Sequence, residues 1–248
     1  MTETPELAAP TDPAGEPQPA RIRSFVRRQG RITPAQRKAL DELLPRFGLD
    51  PSLALTPRAT FGRDAPVFVE IGFGNGETLA HLAEIQPEHD FIGIEVHPPG
   101  IGHLLLELER RGLGNVRVYT HDAVEVLERC VPDASLSGLF VFFPDPWHKK
   151  RHQKRRLLNA EFVRLAVGKL RAGGLFHAAT DWEDYAHQML EVLGACPELV
   201  NADRSGGFSE RPAYRPETKF ERRGQRLGHG VWDLVFNRSA LTAGGNST

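Results

Sequence analysis

Beyond residue 65 the apolar residues fall into short blocks separated by longer mixed stretches. Compact apolar runs occupy 67–71, 91–95, 116–119, 139–143 and 175–180. Between and after them, 78–85, 101–111, 123–129, 156–170 and 184–193 carry apolar residues at helical spacing. Short apolar runs bounded by turn residues predict buried strands, and an apolar rhythm of three to four residues predicts helices. Their alternation predicts an α/β chain: a doubly wound, mostly parallel sheet with helices on both faces. Ligands bind such sheets beyond the carboxyl ends of the strands, near the point where the strand order reverses. Residues 201–229, rich in glycine, proline and charge, predict a long loop, and 231–236 predicts a last strand antiparallel to its neighbour.

The pattern thins toward the N-terminus. Residues 1–20 hold five prolines, four acids and no lysine or arginine, a composition that predicts a disordered acidic tail. Residues 21–60 are basic and punctuated by proline, which predicts an arm. One short helix is expected in it at 34–44, with Thr33 as its cap and Pro34 at its first position. The main domain is then expected over 61–238, followed by a flexible tail at 239–248.

A chain of 248 residues, 40% hydrophobic and 25% charged, has the balance of a globular protein. No window has the ~18 apolar residues of a membrane span, and the first residues lack the basic start and apolar run of a signal peptide. Cys130 and Cys196 form no metal or redox motif, and the ten histidines suggest no zinc set. A cytoplasmic protein without a metal is expected. The net charge of −1 conceals clusters. Residues 18–40 carry seven basic side chains (Arg21, Arg23, Arg27, Arg28, Arg31, Arg37 and Lys38) and no acid; residues 148–160 carry six and no acid. Patches of one sign predict a polyanionic partner.

The predicted strand ends carry the chemistry. The first runs into Glu70–Ile71–Gly72–Phe73–Gly74–Asn75–Gly76. Glycines at alternate positions let a backbone turn sharply beneath a ligand. The Gly-x-Gly-x-x-Gly spacing of a dinucleotide site is absent, and a carboxylate at Glu70 would repel a pyrophosphate. It suits a cationic ligand such as S-adenosylmethionine, which carries an ammonium and a sulfonium. Glu95, about 20 residues further on, is placed to hold ribose hydroxyls. Asp122 either accepts from an adenine amino group or caps the helix after it. Asp145 stands between Pro144 and Pro146, which fix its backbone, beside Phe142, Phe143 and Trp147. Asp181 caps the fifth helix or reaches the same cleft.

These strings resemble the bacterial type of tRNA (guanine-N7)-methyltransferase. The likeness rests on IRSFVRRQGRITPAQ, VEIGFGNG, FIGIEVH, HDAVEVL, FFPDPWHKKRHQKRR, HAATDW and RPETKFERRGQRLGHGVWDLVF, and spans about residues 21–238. It implies a Rossmann-like class I methyltransferase fold that takes S-adenosylmethionine as cofactor and methylates N7 of a guanosine in the tRNA variable loop. Carried over by motif, Glu70, Gly72, Gly74, Glu95, Asp122 and Asp145 contact the cofactor, and Asp145 is also the catalytic candidate. Lys149, Asp181, Thr218, Lys219, Phe220 and Glu221 line the substrate side. Arg151, His152, Gln153, Lys154, Arg155 and Arg156 sit where the family touches RNA. A methyltransferase for another RNA and a non-catalytic RNA-binding module stand as alternatives. Monomer and homodimer are both open.

Overall fold

The computed structural model describes residues 24–25, 30–218, 221 and 230–240. Seven strands form one sheet: β1 (Val67–Ile71), β2 (Asp90–Ile94), β3 (Val116–Tyr119), β4 (Leu136–Phe142), β5 (Leu170–Thr180), β6 (Leu199–Asn201) and β7 (Trp232–Arg238). Their order is β3-β2-β1-β4-β5-β7-β6, and β7 runs antiparallel to both of its neighbours. The order reverses between β1 and β4, which pair in parallel. That junction is where an open α/β sheet leaves a crevice at its carboxyl edge.

Helices α1 (Pro34–Glu42), α2 (Leu44–Phe47), α3 (Pro57–Phe61), α4 (Glu77–Ile85), α5 (Pro98–Arg111), α6 (Ala123–Arg129), α7 (Ala160–Lys169) and α8 (Glu183–Gly194) cover the sheet, and a 3₁₀ helix spans Lys150–Arg155. Period-two alternation splits the strands between two apolar layers. Val69, Ile71, Ile92 and Ile94 pack with α6, α7 and α8 on one face. Phe91, Val116, Val118 and Phe140 pack with α1, α2, α4 and α5 on the other. The sheet is thus wound on both sides, as the alternation predicts.

Local sequence fixes several helix ends. Thr33 accepts from the Gln36 N–H at 3.2 Å while the Gln36 side chain accepts from the Thr33 N–H at 2.9 Å, a reciprocal cap. Asp122 caps α6 and Asn159 caps α7 through their side-chain oxygens. Much of the 21–60 arm lies against the sheet. α1 packs on α5 where Gly102 has no side chain, since a Cβ there would meet the Gln36 carbonyl at 2.7 Å. Leu49 donates to the Val118 carbonyl, and Leu55 to that of Cys130.

Several expectations shift: among the described residues the arm holds three short helices rather than one, and β4 starts at Leu136 rather than 139. β5 starts at Leu170 rather than 175 because exposed Arg171, Ala172 and Gly173 bulge out between the pairs Leu136–Leu170 and Gly138–Leu175. α7 starts at Ala160 rather than 156, because Asn159 caps it and the preceding residues are buried in extended chain. The 201–229 region opens with a short strand: β6 reaches Asn201, too brief to show alternation.

Candidate active site

The cleft at the sheet's switch point is built from the ends of β1, β2 and β4. Ile71, Gly72, Ile94, Glu95, Val96, His97, His121, Ala123, Phe143, Pro144, Asp145 and Leu157 line it, joined by Ser24 and Phe25 of the arm. Gly72, which lines it, and Gly74, two residues on, have φ of 70° and 59°, values that L side chains rarely adopt. Both are exposed, and a Cβ on either would meet nothing within 4 Å. The loop therefore offers bare backbone to open space, the surface a ligand lying along it requires.

Glu70, on β1, is completely buried, and its Oε2 has no hydrogen-bond partner. Burial, with a smaller contribution from the negative charge of Glu95, raises its carboxyl to about pKa 8. Glu95 is buried too but well served. It accepts from the Gly74 N–H at 2.9 Å with one oxygen, and from the Val96 and His97 N–H groups at 2.7 and 3.0 Å with the other. It thereby ties the end of β2 to the glycine loop. Asp122 is buried at the start of α6 and accepts from the Val124 N–H at 2.8 Å, so the capping role expected of it is realised.

Asp145 is exposed on the cleft wall, on a turn with unusual backbone at both ends. Phe143 and Trp147 have φ of 51° and 47°. Left-handed backbone at bulky residues costs roughly 1–2 kcal/mol each, and it persists only where the surroundings over-determine it. Those surroundings are explicit. The Phe143 N–H donates to the Ala179 carbonyl at 2.8 Å, and Arg215 lies 5.6 Å from the Phe143 ring centre. The Trp147 indole donates to the Ser24 carbonyl at 3.1 Å, with Arg155 over its ring. Ring centres of His148 and Trp182 stand 4.0 Å apart. Asp181 follows β5, half-buried beside this turn's neighbours, and Lys149 is exposed just ahead of the 3₁₀ helix.

Behind the turn runs a buried ionic chain. Tyr214 O–H donates to His177 Nδ1 at 2.8 Å, and His177 Nε2–H donates to Asp233 Oδ1 at 2.8 Å. Asp233 accepts from Arg215 Nε and Nη2 at 2.6 and 2.8 Å. Arg215 also donates to both oxygens of Glu221, at 2.8 and 3.0 Å. Thr218 and Glu221 bond each other reciprocally, backbone N–H to side-chain oxygen, at 3.1 and 3.3 Å. Burial depresses the His177 pKa more than the adjacent Asp233 raises it, so the ring is neutral.

The residues expected on the substrate side separate accordingly. Thr218 is half-buried, whereas Glu221 is buried with its carboxylate turned onto Arg215. Lys219 and Phe220 lie outside the described residues, as do Arg21, Arg23, Arg27 and Arg28. In the basic run Arg151 and Lys154 are exposed, and His152, Gln153 and Arg155 half-buried. Arg156 differs: it is 2% exposed and directed inward, because its donors are taken by groups beneath the turn. Its expected RNA contact is not compatible with this placement. Sequence reasoning gave no role to His177, Tyr214, Arg215 or Asp233. The signal was present in two apolar strands each interrupted by one ionisable residue, since such a residue is buried only with a partner.

Among the described residues no group of histidine, cysteine or carboxylate side chains could hold a metal ion. No helix among them is long and apolar enough to cross a membrane.

A doubly wound sheet with its seventh strand inserted antiparallel, a carboxylate-flanked glycine loop and acids at successive strand ends define a class I methyltransferase. The family model described as "Putative methyltransferase" matches residues 64–234. The chain is 67% identical over 221 residues to the tRNA (guanine-N(7)-)-methyltransferase of Methylococcus capsulatus, covering 89% of this chain and 96% of that protein. It is 55% identical over 221 residues to the protein of that name from Alcanivorax borkumensis, covering 89% and 92%. The chain belongs to the tRNA (guanine-N(7)-)-methyltransferase family. In fold it is similar to the 16S rRNA (adenine(1408)-N(1))-methyltransferase of Catenulisporales acidiphilia, with a TM-score of 0.51 at 14% identity over 78% of this chain and 93% of that one.

Proposed function

We propose that this protein transfers a methyl group from S-adenosylmethionine to N7 of a guanosine in tRNA, and that the guanosine lies in the variable loop. The observation that carries the reading is the placement of Asp145. Its strained, exposed turn faces the bare glycine loop across one cleft, and an exposed basic 3₁₀ helix adjoins it.

The residues present fit the cofactor. Gly72 and Gly74 leave room along their backbone. The partnerless Oε2 of Glu70, deep in the same strand end, is an acceptor in want of a cationic donor. Glu70, Gly72, Gly74, Glu95, Asp122 and Asp145 would hold the cofactor, whose sulfonium supplies an electrophilic methyl group when bound.

Guanine N7 carries a lone pair and no proton, so the reaction needs no general base. What remains for the protein is to orient the base for in-line displacement and to receive the positive charge that develops on it. A fixed carboxylate in a partly enclosed cleft does both. Asp145 serves as that carboxylate, and Asp181 with Thr218 lines the side from which the base enters. Carboxylates accept from the Watson–Crick N–H groups of guanine, whereas adenine presents an acceptor at the matching position. Such a contact discriminates bases by about 1–3 kcal/mol. The base must leave its stack, at a few kcal/mol, and Trp147 offers a face for it, worth about 1–3 kcal/mol. Arg31, Arg37, Lys150, Arg151 and Lys154, all exposed, would grip phosphates and orient the RNA without reading its sequence. The proposed tRNA substrate supports a cytoplasmic setting.

The deciding experiment incubates the protein with methyl-labelled cofactor and unmodified tRNA, then maps the label. N7 of a variable-loop guanine is expected. Label on another nucleotide overturns the variable-loop assignment, and binding of tRNA without transfer reduces the protein to an RNA-binding module.

A further inference from the structure

The basic run that begins after Trp147 does not end as it starts. Lys150, Arg151 and Lys154 are exposed, but Arg156 is buried, and its guanidinium forms a hub under the Asp145 turn. Its Nε–H donates to the Pro146 carbonyl at 2.9 Å. Its Nη2 donates to Asp184 at 2.6 Å, and its Nη1 to the Gln188 side-chain oxygen. Its plane lies 4.6 Å from the ring centre of Tyr185. Tyr185 in turn accepts from the Leu158 N–H at 3.1 Å, holding the chain just beyond Arg156. A phosphate cannot reach a guanidinium so enclosed.

We infer that Arg156 is a positioning residue: it holds Pro146, and through it Asp145, in the strained turn and locks that turn to α8. Phe143 and Trp147 sit at positive φ, so the turn relaxes unless both ends are held. The Phe143 end is held by the Ala179 carbonyl and by Arg215. At the other end Arg156 binds the carbonyl of Pro146, the residue directly after Asp145. A planar guanidinium suits the task, because its fork bonds one backbone carbonyl, one carboxylate and one amide at fixed angles. Lysine offers the charge without the fork. The short 3₁₀ helix that carries the exposed cations runs directly into this hub, so the basic run and the turn form one continuous element. The last cation of the run therefore acts on chemistry rather than on tRNA.

This inference rests on the methyltransferase reading, and the experiment separates the two. Arg156→Lys, Arg156→Ala and Asp184→Ala are compared with the wild type for kcat, for tRNA Kd and for hydrogen exchange over 143–148, where Phe143, Asp145, Trp147 and His148 carry the amides. Both Arg156 variants are expected to lose about 100-fold in kcat, the scale of an ångström-level misplacement, while tRNA Kd changes less than about threefold. Exchange over 143–148 rises in both, and methylguanidinium restores part of the Arg156→Ala activity. Asp184→Ala, altered at an exposed side chain, keeps the bond to Pro146 and is expected to show a smaller fall in kcat of the same kind. It carries the test if Arg156→Ala does not fold. A tenfold weaker tRNA Kd with kcat intact overturns the inference in favour of a phosphate contact, and so does unchanged exchange over 143–148. No label from the wild type defeats the functional reading instead, and the exchange data still report whether Arg156 holds the turn.

Discussion

Glu70 and Glu95 bring two buried carboxyl groups to neighbouring strand ends, and only Glu95 has both oxygens satisfied by hydrogen bonds. Glu95 accepts three backbone N–H groups. Glu70 has an oxygen with no partner, and its pKa is raised to about 8 by burial first and by Glu95 second. A carboxyl raised in the folded state binds its proton more tightly there than in the unfolded chain. Its stabilising effect is therefore full below the ordinary carboxyl range and is lost as pH rises toward 8. The ligand-free protein should lose thermal stability between about pH 5 and 8, and Glu70→Gln should flatten that decline. Cofactor binding through a cationic group should expel the proton. Calorimetry at pH 7 in buffers of different ionisation enthalpy should detect release of up to about one proton, absent in Glu70→Gln.

Asp145→Asn preserves the shape of the side chain and removes its charge. If Asp145 is the carboxylate that stabilises the developing positive charge, its loss should lower kcat about 100- to 1,000-fold. Asp145 is exposed, so unfolding free energy should change by no more than about 0.5 kcal/mol. Single-turnover methyl transfer and urea denaturation on the same preparation check the two halves of this prediction.

Arg215→Ala should behave in the opposite way, striking stability first. It leaves Asp233 buried without its guanidinium and Glu221 with only Arg211, 3.6 Å away, and breaking a buried pair from one side costs about 3–5 kcal/mol. Urea unfolding measures it. His177 adds a pH signature. Its pKa is lowered in the folded state, chiefly by burial, so the folded protein resists taking up the proton. Stability contributed there is present at neutral pH and should decline as pH falls below about 6.5, a decline that His177→Gln should remove.

Exposed Arg151 and Lys154 give a salt-dependent prediction. If each neutralises one phosphate, Arg151→Ala and Lys154→Ala should each weaken tRNA binding. Each should also reduce the slope of log K against log salt by about 0.7–0.9. Filter binding across a salt series reads both quantities, and an unchanged slope would remove these residues from the RNA contact.

Much of this architecture is legible in the chain. β1, β3 and α6 occupy the predicted bounds, because short apolar-rich runs between turn residues leave little choice of register or length. The acids at the strand ends are legible for the same reason: each closes a visible run. Less legible is anything decided by burial between distant segments. Arg156 carries the same local pattern as Arg155, and only the approach of α8 turns one inward. His177 and Asp233 are 56 residues apart, and nothing local to either announces the other. The bulge within β5 escapes notice because its exposed residues interrupt the apolar run that marks the strand.

The sheet also sets an order of events during synthesis. β7 slots between β5 and β6, although it leaves the ribosome after both. Until it does, the inner edge of β5 is unpaired and Arg215 has no Asp233 to face. Long-range pairing of this kind forms late, when the intervening loop has closed. A nascent chain arrested before Trp232 would thus display a well-formed cofactor half and an unfinished substrate half, with an open strand edge that invites aggregation. The final strand is the latch of the molecule: one step closes the open edge of β5 and brings Asp233 to Arg215.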